Sequence, residues 1–195
     1  MSSKLFGMTE DEARERILSA AEDLYYRKGY AAVGMDELRS AAGVSLRRLY
    51  SLFPAKTDIV AAVLLRKHAE WEQGLTAAVA RSGDDPRSRL LAVYGYLEDW
   101  FCSDGFRGCA FINAFGELGG TSPEVADIVR THKASFQAYM AGLVAATGAP
   151  VGLAAQLSLL AEGAQSTAAI GADPDAAVHA RRAAEVLIDA ALAPA

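Results

Sequence analysis

Residues 35–56 read MDELRSAAGVSLRRLYSLFPAK, and this stretch predicts two short helices joined by a tight turn. The apolar positions of the first helix recur at i, i+3 and i+7, at Met35, Leu38 and Ala42. Gly43 suits the position just after that helix, where a positive φ is needed. Ser45 can cap the second helix, because its hydroxyl can accept a hydrogen bond from a first-turn amide. Two short helices around a glycine turn form a helix-turn-helix.

The second of these helices has an inner and an outer face. At about 100° per residue, Leu49 and Phe53 share the inner face. The outer face and its shoulders carry Arg47, Arg48, Tyr50 and Ser51. An arginine there can bond guanine O6 and N7 in the major groove, and a tyrosine hydroxyl can reach a phosphate. The alternative is an ordinary helix pair with a solvated outer face, and this stretch alone leaves both interpretations open.

Composition and charge set the class of protein. The 195 residues are 52% hydrophobic, which favours one large or two small globular domains. The sequence shows no long apolar run and no signal pattern, so we expect a soluble cytoplasmic protein with no membrane contact. The net charge is −5, but the stretch 27–56 carries six basic and two acidic residues. A local basic patch of this kind is what phosphate contact requires.

A longer run identifies a family resemblance. Residues 13–63 read ARERILSAAEDLYYRKGYAAVGMDELRSAAGVSLRRLYSLFPAKTDIVAAV and resemble the N-terminal domain of the TetR family of transcriptional regulators. The matched features are KGY, AAGVS, LY and FPAK at the family's spacing. The resemblance implies a dimeric DNA-binding protein, usually a repressor, whose C-terminal helices sense a small molecule.

The resemblance also implies roles for particular residues of the head. Arg47 and Arg48 would read bases, whereas Tyr50 and Lys56 would contact phosphate. Leu46 departs from the family pattern, where a polar or basic residue is common, so it would touch a thymine methyl or pack. The predicted DNA-binding set is Ser45, Leu46, Arg47, Arg48, Tyr50, Ser51 and Lys56. Val33 and Gly34 also depart, since they replace a usual capping Thr/Ser pair.

The rest of the chain reads as helices. The predicted fold is all-α with about nine helices: a DNA-binding domain over residues 1–55 and an effector-binding and dimerisation domain over residues 56–195. Met1–Met8 is predicted to be a mobile tail. The predicted helix starts and ends are Thr9 to Gly29, a long helix from Lys56 to about Arg81, a start at Asp84 or Asp85 before Pro86, a start at Pro123, and a final helix capped by Asp173.

An effector pocket is predicted in the C-terminal domain, where GCAFINAFGEL (residues 108–118) also resembles a ligand-domain segment of one TetR subgroup. Such a site is apolar with a few converging polar groups. The predicted walls and polar points are Trp100, Phe106, Phe136, Tyr139, Met140, Asn113, Glu117, His132 and Gln165. For each aromatic residue, a plain core position is the alternative. His132 can equally be a core histidine, and Glu117 a solvated carboxylate.

The last two helices are predicted to form a homodimer interface. The first carries two apolar stripes, Leu157, Leu160, Ala161, Ala164 and Ala168 on one side and Leu159, Gly163, Ser166 and Ile170 on another. A helix that is apolar on two sides should be buried on two sides. Small residues allow close approach, so two helices from each protomer would form a two-fold four-helix interface. Packing within one chain is the alternative.

The sequence offers little support for a catalytic, metal-binding or redox function. The sequence has no G-x-S-x-G, Walker A, H-E-x-x-H or E-x-x-H motif, and we expect no enzyme activity, cofactor or metal. Cys102 and Cys109 could form a thiol switch if a thiolate were stabilised by Arg107, although ordinary buried cysteines are the alternative. The rival functions are a helical ligand-binding or thiol-redox module that does not read DNA, and a structural scaffold.

Overall fold

The computed structural model describes residues 8–193, and this part of the chain contains nine α-helices. Their bounds are α1 Glu10–Lys28, α2 Met35–Ala42, α3 Leu46–Leu52, α4 Lys56–Arg81, α5 Pro86–Phe101, α6 Ala110–Leu118, α7 Pro123–Thr147, α8 Gly152–Gly171 and α9 Ala176–Leu192. The predicted all-α fold is therefore confirmed. The predicted tail falls largely on residues 1–7, which lie outside the described residues.

The described chain divides into two compact units. The first contains the described residues up to Lys67 together with Asn113–Val129, and the second contains His68–Ile112 and residues 130–193. Helices α4, α6 and α7 each contribute residues to both units. The predicted domain boundary between residues 55 and 56 stays a prediction, and the compact units do not coincide with it.

In the first unit, α1, α2 and α3 pack against one another. Thr9 and Glu12 form a reciprocal capping box at the start of α1, which satisfies two of its free amides. The buried side chains of the three helices include Ile17, Leu24, Leu38 and Leu49. Val33, in place of the family's usual capping residue, is also buried, and Gly34 caps α2 without a side-chain hydrogen bond.

In the second unit, α5, α8 and α9 pack around one apolar core. Asp85 caps α5, accepting a hydrogen bond from the Ser88 amide, with Pro86 at the first helical position as predicted. The Tyr94 hydroxyl donates to the Leu157 carbonyl at 2.8 Å within this core. This bond joins α5 to α8 where their side chains are excluded from water.

One detail of the helix predictions was wrong. The last helix is not capped by Asp173: it begins at Ala176, because the Asp173 carboxylate accepts from the Asp175 amide in a preceding turn. The second stripe of α8 is not covered by packing within the chain, because Leu159 and Ile170 are 74% and 88% exposed, and its burial between two protomers stays a prediction.

Candidate nucleic-acid interface and ligand site

The outer face of α3 is held in place from behind. Leu49 and Phe53 are 0% and 2% exposed, and Phe53 also lies under the Arg14 guanidinium, 4.5 Å from its ring centroid. Ser45 caps the helix by accepting from the Arg48 amide, and Gly43 takes the left-handed conformation with φ 66°. These local features fix the rotation of a helix only seven residues long.

Most predicted DNA-binding residues lie on the exposed side of α3. Ser45, Leu46, Arg47, Tyr50 and Ser51 are exposed, whereas Arg48 and Lys56 are half-buried. The Ser51 hydroxyl donates to the Arg48 carbonyl of its own helix, which uses its proton locally. The face therefore offers one exposed guanidinium, that of Arg47, and the exposed phenol of Tyr50.

Lys56, the first residue of α4, belongs to a small network in the first unit. Its ammonium donates to the Ala31 carbonyl at 3.1 Å, and the Ala31 amide donates to the Glu117 carboxylate at 2.7 Å. Burial lowers the pKa of Lys56, and the carboxylate of Glu117 acts in the opposite direction. Gly29, with φ 88°, ends α1 beside the same carboxylate. Glu117 thus holds the turn that follows α1, a role that sequence reasoning missed.

The predicted effector residues are divided between the units. Asn113 and Glu117 belong to the first unit, and the other seven belong to the second. In the second unit, Phe136, Met140 and Gln165 are buried, and the Gln165 amide donates to the Ala161 carbonyl of its own helix at 3.4 Å. The Trp100 and Phe106 rings meet edge to face at 5.2 Å. The predicted pocket stays a prediction.

His132 lies at the centre of an aromatic cluster in the second unit. Its side chain is 4% exposed, its ring stacks on Phe111 with centroids 3.5 Å apart, and Trp71 meets it edge-on at 5.1 Å. The Nδ1 atoms of His132 and His68 are 3.0 Å apart. Burial, with the charge of neighbouring Lys133 and then His68, lowers the pKa of His132 to about 3. The imidazole is therefore neutral near pH 7.

A cleft opens beside this cluster between α4 and α7. It has a volume of about 190 Å³ and is lined by Trp71, Glu72, Leu75, Thr76, Ser135 and Tyr139. Of these, only Tyr139 was in the predicted pocket. The Ser135 hydroxyl donates to the Glu72 carboxylate, and His68 Nε2 lies 3.5 Å from the same oxygen. Glu72 was missed because the sequence gives no sign that two helices distant along the chain meet at this point.

The two cysteines differ in their surroundings. Cys102 is exposed and Cys109 is buried. Lys133 contacts the Cys109 thiol, with Nζ 3.6 Å from Sγ. The same ammonium forms an ion pair with Glu162 at 2.6 Å. The thiol-switch hypothesis remains untested.

An apolar surface extends along α8 and α9. A groove of about 330 Å³ between them is lined by Leu159, Leu160, Gly163, Ala164, Thr167, Asp173, Ala176, His179, Ala180 and Ala183. On the same two helices, Leu159, Ile170 and Val186 are largely exposed. An exposed apolar patch of this kind is typical of a protein interface.

Comparison with known proteins agrees with this architecture. The family model for bacterial regulatory proteins of the tetR family matches residues 17–63. A TetR-type transcriptional regulator of Streptomyces avermitilis, known from its crystal structure, is 33% identical and aligns over 92% of this chain and 97% of its own, with a TM-score of 0.78. A TetR-family regulator of Streptomyces coelicolor is 29% identical over 94% of this chain and 97% of its own, with a TM-score of 0.87. The chain belongs to the TetR family of transcriptional regulators.

Curated relatives match over a shorter length. The transcriptional repressor NemR of Escherichia coli is 30% identical over 60% of this chain and 59% of its own length. The transcriptional activator FasR of Mycolicibacterium smegmatis is 36% identical over 51% of this chain and 46% of its own length. The chain thus spans about half the length of these relatives, which include both modes of regulation. Among residues 8–193, no helix has the length and apolarity needed to cross a membrane.

Proposed function

We propose that the protein is a one-component transcriptional repressor that binds a pseudo-palindromic operator as a homodimer. The observation that carries this proposal is the α3 face, where Arg47 is exposed and Leu49 and Phe53 anchor the helix from behind. A guanidinium so placed can enter a major groove and bond guanine bidentately. The operator lies in the cytoplasm, where the protein would act.

Phosphate contacts would orient this helix on the duplex. Tyr50 is exposed on α3, and Lys56, six residues further along the chain, is the first residue of α4. The Lys56 ammonium donates to the Ala31 carbonyl at 3.1 Å, and since an ammonium has three donors it could also donate to a phosphate. Phosphate contacts position the protein and carry no base preference, so Arg47 would supply the specificity.

The homodimer would form through α8 and α9. Leu159, Ile170 and Val186 are exposed on these two helices, and the groove between the helices is lined in part by Gly163 and Ala183. Small residues in the groove permit the close helix approach that a two-fold four-helix interface requires. Two heads spaced about one helical turn apart, ~34–36 Å, would then read two half-sites.

A small molecule bound to the second unit would release the operator. The ligand would favour a conformation whose head spacing does not match successive grooves, and α4, which contributes to both units, would transmit the change. A hundredfold loss of operator affinity requires about 2.7 kcal/mol of differential binding. The absence of any such effect would favour a structural scaffold.

An anisotropy titration tests the proposal. The purified chain is titrated into labelled DNA from upstream of its own gene at about 50 to 200 mM salt. Several phosphate contacts per protomer predict a slope of log K against log [salt] of about −5 to −8. Lys56→Ala should weaken binding to all sequences alike and reduce the slope. Absent or salt-insensitive binding would favour a ligand-binding module that does not read DNA.

A further inference from the structure

We propose that the cleft lined by Trp71, Glu72, Leu75, Thr76, Ser135 and Tyr139 binds a small organic cation, of the quaternary or protonated amine class. This inference rests on the proposed function, because it names the chemical class of effector that the second unit would sense. All six residues belong to that unit.

The negative charge of Glu72 favours a positively charged ligand in the cleft. Glu72 is the acidic residue among the six lining residues, and none of the six is basic. The Ser135 hydroxyl donates to the Glu72 carboxylate and orients it, but a hydroxyl bond leaves the negative charge uncompensated. The nearby Lys133 ammonium is paired with Glu162 at 2.6 Å. An anionic ligand would be repelled here, and a cation would gain an ion pair.

The His68 ring does not remove this preference. Its Nε2 lies 3.5 Å from a Glu72 oxygen, and its Nδ1 lies 3.0 Å from His132 Nδ1. A neutral imidazole can bond both neighbours with a single proton on one nitrogen, so the pair of rings requires no positive charge. His132, whose pKa is strongly lowered by burial, contributes none at pH 7.

The walls of the cleft suit a cation as well. Trp71 and Tyr139 supply aromatic rings, whose faces attract an ammonium group at about 6 Å or less. The Trp71 ring is held by edge-to-face contacts with Tyr96, His132 and Phe136, at centroid distances of 6.3, 5.1 and 5.2 Å. A ring held by three aromatic contacts is preorganised, so a ligand need not order it.

The size of the cleft limits the ligand. Its volume of about 190 Å³ lies below the ~300–1,000 Å³ of sites for drug-sized molecules. A neutral ligand of the same size would cover the Glu72 carboxylate without compensating its charge, which costs free energy. The cleft therefore favours a compact cation over its neutral isostere.

The test compares choline and benzyltrimethylammonium with 3,3-dimethylbutan-1-ol, a neutral isostere of choline. Binding to the full chain is measured by calorimetry and by the fluorescence of Trp71 in a Trp100→Phe background. We expect at least one cation to bind about tenfold or more tightly than the neutral alcohol. Glu72→Gln should remove that preference, whereas Glu124→Gln, at an exposed carboxylate outside the cleft, should retain it.

Two further measurements keep the outcome decisive. If Glu72→Gln does not fold, Tyr139→Leu should weaken cation binding and Tyr139→Phe should not, since phenylalanine retains an aromatic face. Operator binding is measured on the same preparations without ligand. If the operator binds and neither cation binds at up to about 10 mM, or the alcohol binds equally well, the cleft assignment is wrong. If a cation binds and the operator does not, the proposed function fails and the cleft assignment stands.

Discussion

The buried imidazole of His132 should make the second unit less stable as the solution becomes acidic. Its pKa is lowered from an ordinary value of 6.5 to about 3, first by burial and then by the charge of Lys133 and His68. The unfolded chain therefore takes up a proton between these two pH values and the folded chain does not. The contribution of the neutral His132 imidazole to the free energy of unfolding is fully present above pH 6.5 and is lost progressively as the pH falls towards 3.

The size of this effect follows from the shift. Each pH unit below the unfolded pKa costs about 1.4 kcal/mol while the folded group stays neutral. Between pH 7.5 and 5.0 the free energy of unfolding should fall by about 2 kcal/mol. Carboxylates whose pKa values are depressed, such as that of Glu12, lose their contribution chiefly below pH 4.5, outside this window.

Urea unfolding monitored by tryptophan fluorescence measures this quantity, because Trp71 and Trp100 both belong to the second unit. His132→Gln should flatten the dependence on pH, and His179→Gln, at an exposed histidine, should leave it unchanged. Equal stabilities of the unmodified chain at pH 7.5 and 5.0, within about 0.5 kcal/mol, would refute the assignment of a neutral buried imidazole.

One pair of substitutions tests the packing of the first unit, and a single substitution tests that of the second. Gly29→Ala would place a Cβ 2.9 Å from a Glu117 oxygen at a residue with φ 88°, so thermal unfolding should show a loss of about 1–3 kcal/mol. Gly116 is an exposed helical position where an added Cβ has no atom within 4 Å, so Gly116→Ala should stabilise the protein by up to about 1 kcal/mol. Equal effects of Gly29→Ala and Gly116→Ala on stability would contradict the strain argument. Tyr94→Phe removes a buried hydrogen bond, so the free energy of unfolding should fall by about 1 kcal/mol and the Tm by about 2–4 °C. An unchanged Tm would show that the bond does not contribute to stability.

The head could be predicted closely because its signals are local. Gly43 and Ser45 are adjacent to the helices that they end and begin, and the periodicity of Leu49 and Phe53 fixes which side of α3 faces inward. Such features act over one or two turns, so they can be read without knowing the rest of the fold. The same holds for Asp85 at α5.

The ligand cleft could not be predicted, because it depends on which faces of long helices meet. Glu72 and Ser135 are 63 residues apart, and neither departs from an ordinary solvated position in its own helix pattern. Lys133 reaches Cys109 from 24 residues away for the same reason. At Asp173, the carboxylate accepts from the Asp175 amide in a turn where a helix cap was predicted.

The central claim is that the exposed side of α3 reads operator bases through Arg47. Anisotropy titrations of Arg47→Ala on the operator and on a panel of single base-pair changes test it most directly, with Arg81→Ala as an exposed, charge-matched control. Arg47→Ala should weaken binding by about 1–3 kcal/mol and remove the preference at one base pair in each half-site, and Arg81→Ala should retain both. Normal operator affinity and unchanged base preference in Arg47→Ala would contradict the account.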